Sequence, residues 1–344
     1  MDKSQLSLRF TNFANIECKG SSQLYEHLSF KISEDDEILE LCSNSKVGQP
    51  VPNLLFGSIH YLLLKGKDHS LKEYYPSLTT HPRKIDDELF LYFKDFCNVN
   101  REEIIPLLKS KLVQTNEVRR CAYLYPLFSM IYKKVKKPLS LIEIGTSAGL
   151  QLLWDKYSYS YGDNEIYGNK NSTVHITSEI KGLNSPSFLL ESPPVVSKVG
   201  IDLHISDLRE DEDYLWLKSL IWTEHEERLE LFEGAASYLK ENPVELIEGD
   251  GIALLTDIAE ELPKDTVICI FHTHVANQIP EDLKHELLDK VSKIGEKRDV
   301  FHLYNNIWDR NLHLDYIVDG VEYNQTIGAT DGHGKWFEWN IEQI

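Results

Sequence analysis

The stretch Leu141-Ile142-Glu143-Ile144-Gly145-Thr146-Ser147-Ala148-Gly149-Leu150 restricts what this chain can become more than any other. A short apolar strand runs into Glu-x-Gly-x-x-x-Gly. An amphipathic helix is expected at once, through Leu150, Leu152, Leu153, Trp154 and Tyr157. Glycine at a strand-to-helix turn lets the backbone approach a ligand, because no Cβ blocks it. The first N–H groups of such a helix lack intrahelical partners and offer a polar floor. Open α/β domains build nucleotide-sized sites this way. The spacing matches neither the G-x-G-x-x-G dinucleotide fingerprint nor the P-loop, which disfavours nicotinamide chemistry.

The rest of the chain arranges itself around that turn. Residues 1–137 read as an N-terminal helical cap domain. Periodicity near 3.6 shows in Leu54, Leu55, Ile59, Leu62 and Leu63, in Leu89, Phe90, Phe93 and Phe96, and in Ile104, Leu107, Leu108 and Leu112. From 138 to 344, strands alternate with helices. Strands are expected at about 139–144, 195–203, 244–248, 266–271 and 300–304. An insertion at about 158–194 carries an alternating run, Thr173 to Ile180, that reads as one arm of a hairpin. Asp319-Gly320 between alternating runs predicts a C-terminal antiparallel hairpin. Near-continuous apolar strands separated by helices imply a mostly parallel sheet covered on both faces.

Composition narrows the partners. Lys plus Arg is 36 and Asp plus Glu is 55, a formal net charge of −19. Nucleic-acid affinity rests on neutralising phosphates, so no nucleic-acid partner is expected. The basic run Lys133-Lys134-Val135-Lys136-Lys137 reads as a solvated helix end. No run of 18 apolar residues suggests a membrane span, and the first residues do not resemble a secretory signal. Five scattered cysteines without a C-x-x-C pair suit reduced thiols in the cytoplasm.

Ligands of such sheets lie beyond the carboxyl ends of the strands. The polar residues expected there are Glu143 with Gly145, Thr146, Ser147 and Gly149, then Asp202, then Asp250 with Gly251, then His272, Thr273 and His274. Asp202 could instead cap a helix, and Asp250 could simply hold a turn. If the strand continues past His272, both histidines share a face. They then supply a general base, two of the ligands a metal needs, or no chemistry. On a helix before the first strand, Asn116 and Arg120 share a face that suits a carboxylate, while Glu117 points elsewhere. Trp154, Tyr157, Tyr159, Tyr161 and Tyr167 line a pocket or lid, or pack the insertion. His333, in Asp331-Gly332-His333-Gly334, could reach the site rim.

Acid-x-Gly-x-x-x-Gly resembles motif I of the class I S-adenosylmethionine-dependent methyltransferases. That resemblance implies a Rossmann-like, methyltransferase-type sheet and S-adenosylmethionine as cofactor. It implies Glu143 near the ammonium group, Asp202 on the ribose and Asp250 at the adenine amino group. Further motifs are Thr115-Asn116-Glu117-Val118 with Arg120, Gly200-Ile201-Asp202-Leu203, Gly249-Asp250, Phe271-His272-Thr273 and His333-Gly334. With the glycine turn they resemble the bacterial family known as domain of unknown function 2332, over about residues 8–340. Gln151, His204 and His274 stand where that family usually has other residues. The family has no assigned reaction. The leading expectation is methyl transfer to a small-molecule acceptor, with His272 as base or orienting group and Asn116 and Arg120 on the acceptor. A non-catalytic cofactor sensor and a metal-dependent hydrolase using His272 and His274 are the alternatives.

Overall fold

The computed structural model describes residues 2–342. Two compact units emerge: Met1–Thr115 with Arg209–Leu229, and Asn116–Leu208 with Glu230–Ile344. The expected boundary near 137 and these units do not coincide. Arg120 and the helix after it group with the sheet, and 209–229 group with the helices.

The first unit is helical: α1 (Lys3–Asn12), α2 (Gln23–Ser33), α3 (Asp36–Cys42), α4 (Val51–Leu64), α5 (Leu89–Val99), α6 (Arg101–Ser110) and α8 (Asp211–Ser219). Ser22 and Asp35 cap α2 and α3 by accepting backbone N–H bonds. Helix α4 is buried from Val51 to Leu63 except at Asn53, and Phe56 stacks on Tyr25 at 4.2 Å. Side-chain bonds tie in the distant segment. Trp216 Nε1 donates to the Leu112 carbonyl at 2.8 Å, and Trp222 Nε1 donates to Asn53 Oδ1 at 3.2 Å.

The second unit carries a seven-stranded sheet. Its strands are β1 (Leu139–Ile144), β6 (Val195–Asp202), β7 (Glu245–Glu248), β8 (Val267–His272), β9 (Val300–Tyr304), β10 (Leu312–Val318) and β11 (Val321–Gly328). The order is β11-β10-β9-β8-β1-β6-β7. From β7 to β9 the neighbours are parallel, and β10 is antiparallel to both of its neighbours. All six residues of β1 are buried, as a central strand covered on both faces requires. On one face Ile142, Ile201, Ile268 and Ile270 pack against Leu255 and Ile258 of α10 (Gly251–Glu261) and Leu287 of α11 (Glu281–Gly295). Each such side chain contributes about 1.5–3 kcal/mol on burial. On the other face, Phe128 of α7 (Cys121–Val135) meets Phe271 edge-on at 5.7 Å. Helix α9 (Glu226–Glu241) precedes β7.

Two local expectations fail. After Gly149 the chain forms a short 3-10 helix, Leu150–Lys156, not an amphipathic α-helix, and Leu150 to Trp154 are all buried. The run Thr173–Ile180 is not a hairpin arm. It breaks at Ser178 into β4 (His175–Thr177), parallel to β2 (Ser158–Ser160), and β5 (Glu179–Lys181), parallel to β12 (Trp336–Glu338). Strand β3 (Tyr167–Gly168) completes the small sheet with β2. Strict alternation defines a strand but not its partner. The basic run ends α7 as expected, with Lys136 and Lys137 exposed, while half-buried Lys133 donates from Nζ to the Ser187 and Phe188 carbonyls at 3.0 and 2.8 Å.

Candidate functional site

The chain leaves β1 for β6 and β7 on one flank, then returns to β8 and β9 on the other. The switch point is therefore the crevice between the carboxyl ends of β1 and β8, where open α/β sheets bind ligands. Backbone strain gathers there. Among the non-glycine residues with positive φ are Ser147 after β1 (52°), His274 after β8 (58°) and Asn306 after β9 (65°). Each such position costs on the order of 1–3 kcal/mol and persists only when its surroundings enforce it.

The glycine turn is held by its neighbours. Gly145 and Thr146 donate their N–H groups to the Ile201 carbonyl at 2.8 and 3.2 Å. Gly145 has φ 75°, and a Cβ there would lie 2.4 Å from Val275 Cγ2. The close approach that glycine permits is thus made by Val275. Asp202 faces the turn: Oδ2 accepts from Ser147 N–H at 2.8 Å and Oδ1 from His204 N–H at 3.1 Å. Asn116 Oδ1 accepts from Ala148 N–H at 3.3 Å, and its Nδ2 donates to Ser147 Oγ at 3.0 Å. The polar floor expected of free N–H groups is accordingly occupied by two side chains of the protein.

Glu143 is only 3 % exposed and accepts from Thr146 Oγ1 at 2.6 Å. Burial pushes its carboxyl up to about 8, against the Thr146 bond, with Asp202 acting in the same direction as burial. It is neutral at neutral pH, so it can donate a hydrogen bond as well as accept one. Gly149 takes φ 79° before the 3-10 helix. Asp250 is exposed and caps α10, with Oδ1 accepting from Ile252 and Ala253 N–H at 2.9 and 3.1 Å. Gly251 is the first, buried residue of that helix.

The pairing of Asn116 with Arg120 on one helix face is corrected. Asn116 lies in a loop, Val118–Arg120 form a single 3-10 turn, and α7 begins only at Cys121. Both still reach the strand ends, by different routes. Arg120 Nε donates to the Gly332 carbonyl at 3.0 Å, and Nη1 donates to the Thr273 carbonyl and Oγ1, both at 3.4 Å. Gln151 and Thr273 exchange hydrogen bonds at 3.0 and 3.1 Å. Glu117, expected to point elsewhere, is 2 % exposed and lies 2.9 Å from His333 Nδ1. Gly334 explains that docking: with φ 73°, its missing Cβ would fall 2.6 Å from the Arg119 carbonyl oxygen.

His272 and His274 part company. Strand β8 ends at His272, and the left-handed turn at His274 breaks the shared face. His272 is fully buried, with Nε2 3.2 Å from His302 Nε2 and its ring stacked on Tyr304. Burial pushes it down to about 3. Its hydrogen-bond and ring contacts are with His302 and Tyr304 of β9. Among the described residues no group of three or more His, Cys, Asp or Glu side chains is placed to hold a metal ion.

The aromatic residues of the insertion pack on one another and on α7. Tyr125 stacks on Tyr159 at 4.4 Å, and Phe188 lies 4.6 Å from Tyr161 and 4.4 Å from Tyr167. A cleft of about 510 Å³ opens beside these rings, lined also by Asp163 and Leu190. The sequence reading does not single out Asn305, Asn306 and Val275. One signal was available: Asn-Asn directly after an apolar strand favours a left-handed turn.

These features define a mixed α/β protein with a mostly parallel central sheet and a strained, polar cluster at its switch point. The chain belongs to the family of uncharacterized proteins conserved in bacteria called domain of unknown function 2332, whose model matches residues 7–339. No curated protein and no solved structure matches it. Among the described residues no helix is long and apolar enough to cross a membrane.

Proposed function

We propose that the strand-end crevice binds S-adenosylmethionine and serves methyl transfer to a small-molecule acceptor, on a methyltransferase-type Rossmann sheet. The observation that carries this reading is the seat of Asp202. Its carboxylate at the end of β6 leans on the glycine turn after β1, with one backbone N–H on each oxygen. A carboxylate has about four lone-pair positions, so Asp202 keeps capacity for a ribose diol. One strand outward, Asp250 uses Oδ1 as a helix cap and has Oδ2 to accept from an adenine amino group. A β7-β6-β1-β8-β9 order with the glycine turn on the middle strand suits this arrangement.

The cofactor, when bound, supplies an electrophilic methyl group on a sulfonium. The chain's own residues bind and orient. Asp202, Asp250 and Gly251 hold the nucleoside, and neutral Glu143 with Thr146, Ser147 and the Gly145–Gly149 turn faces the amino-acid end. Val275 must withdraw from Gly145 to admit it. Arg120 and Asn116 brace the turn and the Thr273 loop, setting the pocket's shape rather than gripping the acceptor. Transfer of this kind can run on positioning and water exclusion, so no strict catalytic base is required. His272, sealed beside His302, supports the fold in this reading.

Calorimetric titration with S-adenosylmethionine and S-adenosylhomocysteine, with NADH and ATP as controls, tests the proposal. Selective micromolar binding lost in Asp202→Ala is expected. A folded protein that binds neither sulfur nucleotide overturns it.

A further inference from the structure

The turns after β8 and β9 form a second polar unit at the crevice. His274 and Asn306 are both left-handed. Asn305 links them: its Oδ1 accepts from His274 N–H at 2.7 Å and from Asn306 Nδ2 at 3.0 Å. Asn306 Nδ2 also lies 3.4 Å from His274 Nδ1. An amide nitrogen can only donate, so Nδ1 is the accepting nitrogen, and the neutral ring carries its proton on Nε2. Burial keeps that ring neutral, with Arg120 and His333 acting in the same direction and the Asp331 carboxylate against them.

Two donors are thereby left over. His274 Nε2 and Asn305 Nδ2 are buried and have no hydrogen-bond partner among the described residues, and Asn305 is 0 % exposed. Leaving such a donor unmade costs about 1–3 kcal/mol, and native interiors keep few of them. Both belong to one hydrogen-bonded cluster with two left-handed residues, His274 and Asn306, and Arg120 Nη1 lies 3.4 Å from the neighbouring Thr273 carbonyl. Two N–H donors beside a cation match an anionic group with two oxygens in a plane.

We infer that His274 Nε2–H and Asn305 Nδ2–H form a carboxylate-binding subsite for the acceptor substrate. This rests on the reading of the strand-end crevice as a small-molecule site. It gives the substrate a class: a small organic acid, carrying its carboxylate at the β8 and β9 turns. His274 becomes a binding residue in its neutral form, and Asn305 a specificity residue.

The test is a titration followed by histidine Cε1–Hε1 NMR, with the His274 signal assigned by its loss in His274→Gln. The probes are benzoate, benzamide and inorganic phosphate, each with and without saturating S-adenosylhomocysteine. Benzoate is expected to shift His274 saturably, with benzamide and phosphate at least about tenfold weaker. Asn305→Asp keeps the oxygen that accepts from His274 and Asn306 but removes the donor. It should weaken benzoate about tenfold or more while thermal unfolding stays cooperative. No benzoate response in the wild-type protein, as a water filling both donors predicts, overturns the inference. Equal responses to benzoate and benzamide, or to benzoate and phosphate, overturn it too. So does competition by S-adenosylhomocysteine, which would give these donors to the cofactor's own carboxylate. A benzoate response in a protein that binds no sulfur nucleotide leaves the subsite standing and removes only the methyl-transfer reading.

Discussion

Two histidines of one strand end, two residues apart, sit in opposite kinds of polar environment. His272 lies in regular extended backbone, paired across the sheet with Tyr304 and sealed against His302. His274 lies in a left-handed turn tied by side-chain bonds to the turn after β9. Both rings are neutral because burial disfavours the charged form. Their chemistry is alike, and their backbones are not. A buried polar pair in relaxed backbone is part of a core. A polar cluster held in two strained turns at a topological switch point is held there at a conformational cost, as ligand sites are. The difference separates a fold-supporting histidine from a binding one where residue type alone cannot.

The comparison breaks most visibly at Gly145. In Gly145→Val the new Cβ meets Val275 at 2.4 Å and must adopt φ 75°. The expected loss is about 3–5 kcal/mol of stability together with all nucleotide binding. Chemical denaturation measures the first and calorimetry the second. A fully stable variant would show that Val275 moves aside easily.

The two regions also oppose each other in pH. Glu143 is raised to about 8 from 4.5, so its contribution is full below about 4.5 and lost as pH rises through 8. His272 is lowered from 6.5 to about 3, so its contribution is full above 6.5 and lost as pH falls toward 3. Glu143→Gln should remove the alkaline slope and raise stability at pH 8 by about 4 kcal/mol, with the acid slope untouched. Thermal melts between pH 5 and 8.5 decide this. An unchanged alkaline slope means that Glu143 is already ionised in the fold.

His272→Leu sharpens the contrast at smaller amplitude. It strips His302 Nε2 of its partner at 3.2 Å and should cost about 1–3 kcal/mol. Adding His302→Leu should recover much of that, because two buried unmet groups are removed together. Cofactor affinity should not change in either variant. Lost affinity in a folded His272→Leu protein would return His272 to the site.

Much of this architecture was legible because a buried parallel sheet needs continuous apolar runs. All five parallel strands lie within two residues of where those runs placed them, and Asp319-Gly320 turns the terminal hairpin. Partner choice was not legible. The alternation at 173–180 could not say that β4 joins β2 while β5 joins β12, since pairing is decided by distant segments. The site was legible at Asp202, whose acid ends a strand beside the glycine turn. It was hidden at Asn116, where a helix was expected and an extended loop stands. It was hidden again at Asn305 and Val275, whose roles depend on two turns meeting in space.

The smallest effect concerns Val275, and it probes whether the crevice is poised or closed. Its two methyl carbons rest over Gly145, on a loop bound at Thr273 by Arg120 and Gln151 and at His274 by Asn305. A ligand entering at the turn must displace those methyls and lose their contacts. Val275→Ala removes them without touching the hydrogen bonds that hold the loop. Removing two methyl groups from a half-buried position should cost under about 1.5 kcal/mol of stability. Part of that lost packing no longer opposes the ligand, so nucleotide affinity should rise about threefold, equivalent to about 0.7 kcal/mol. Calorimetry resolves a change of that size. Tighter binding with a modest loss of stability marks Val275 as a competitor for the ligand's place. Unchanged affinity means that the ligand approaches from the Asp202 side and never meets Val275. Weaker binding makes Val275 part of the pocket wall.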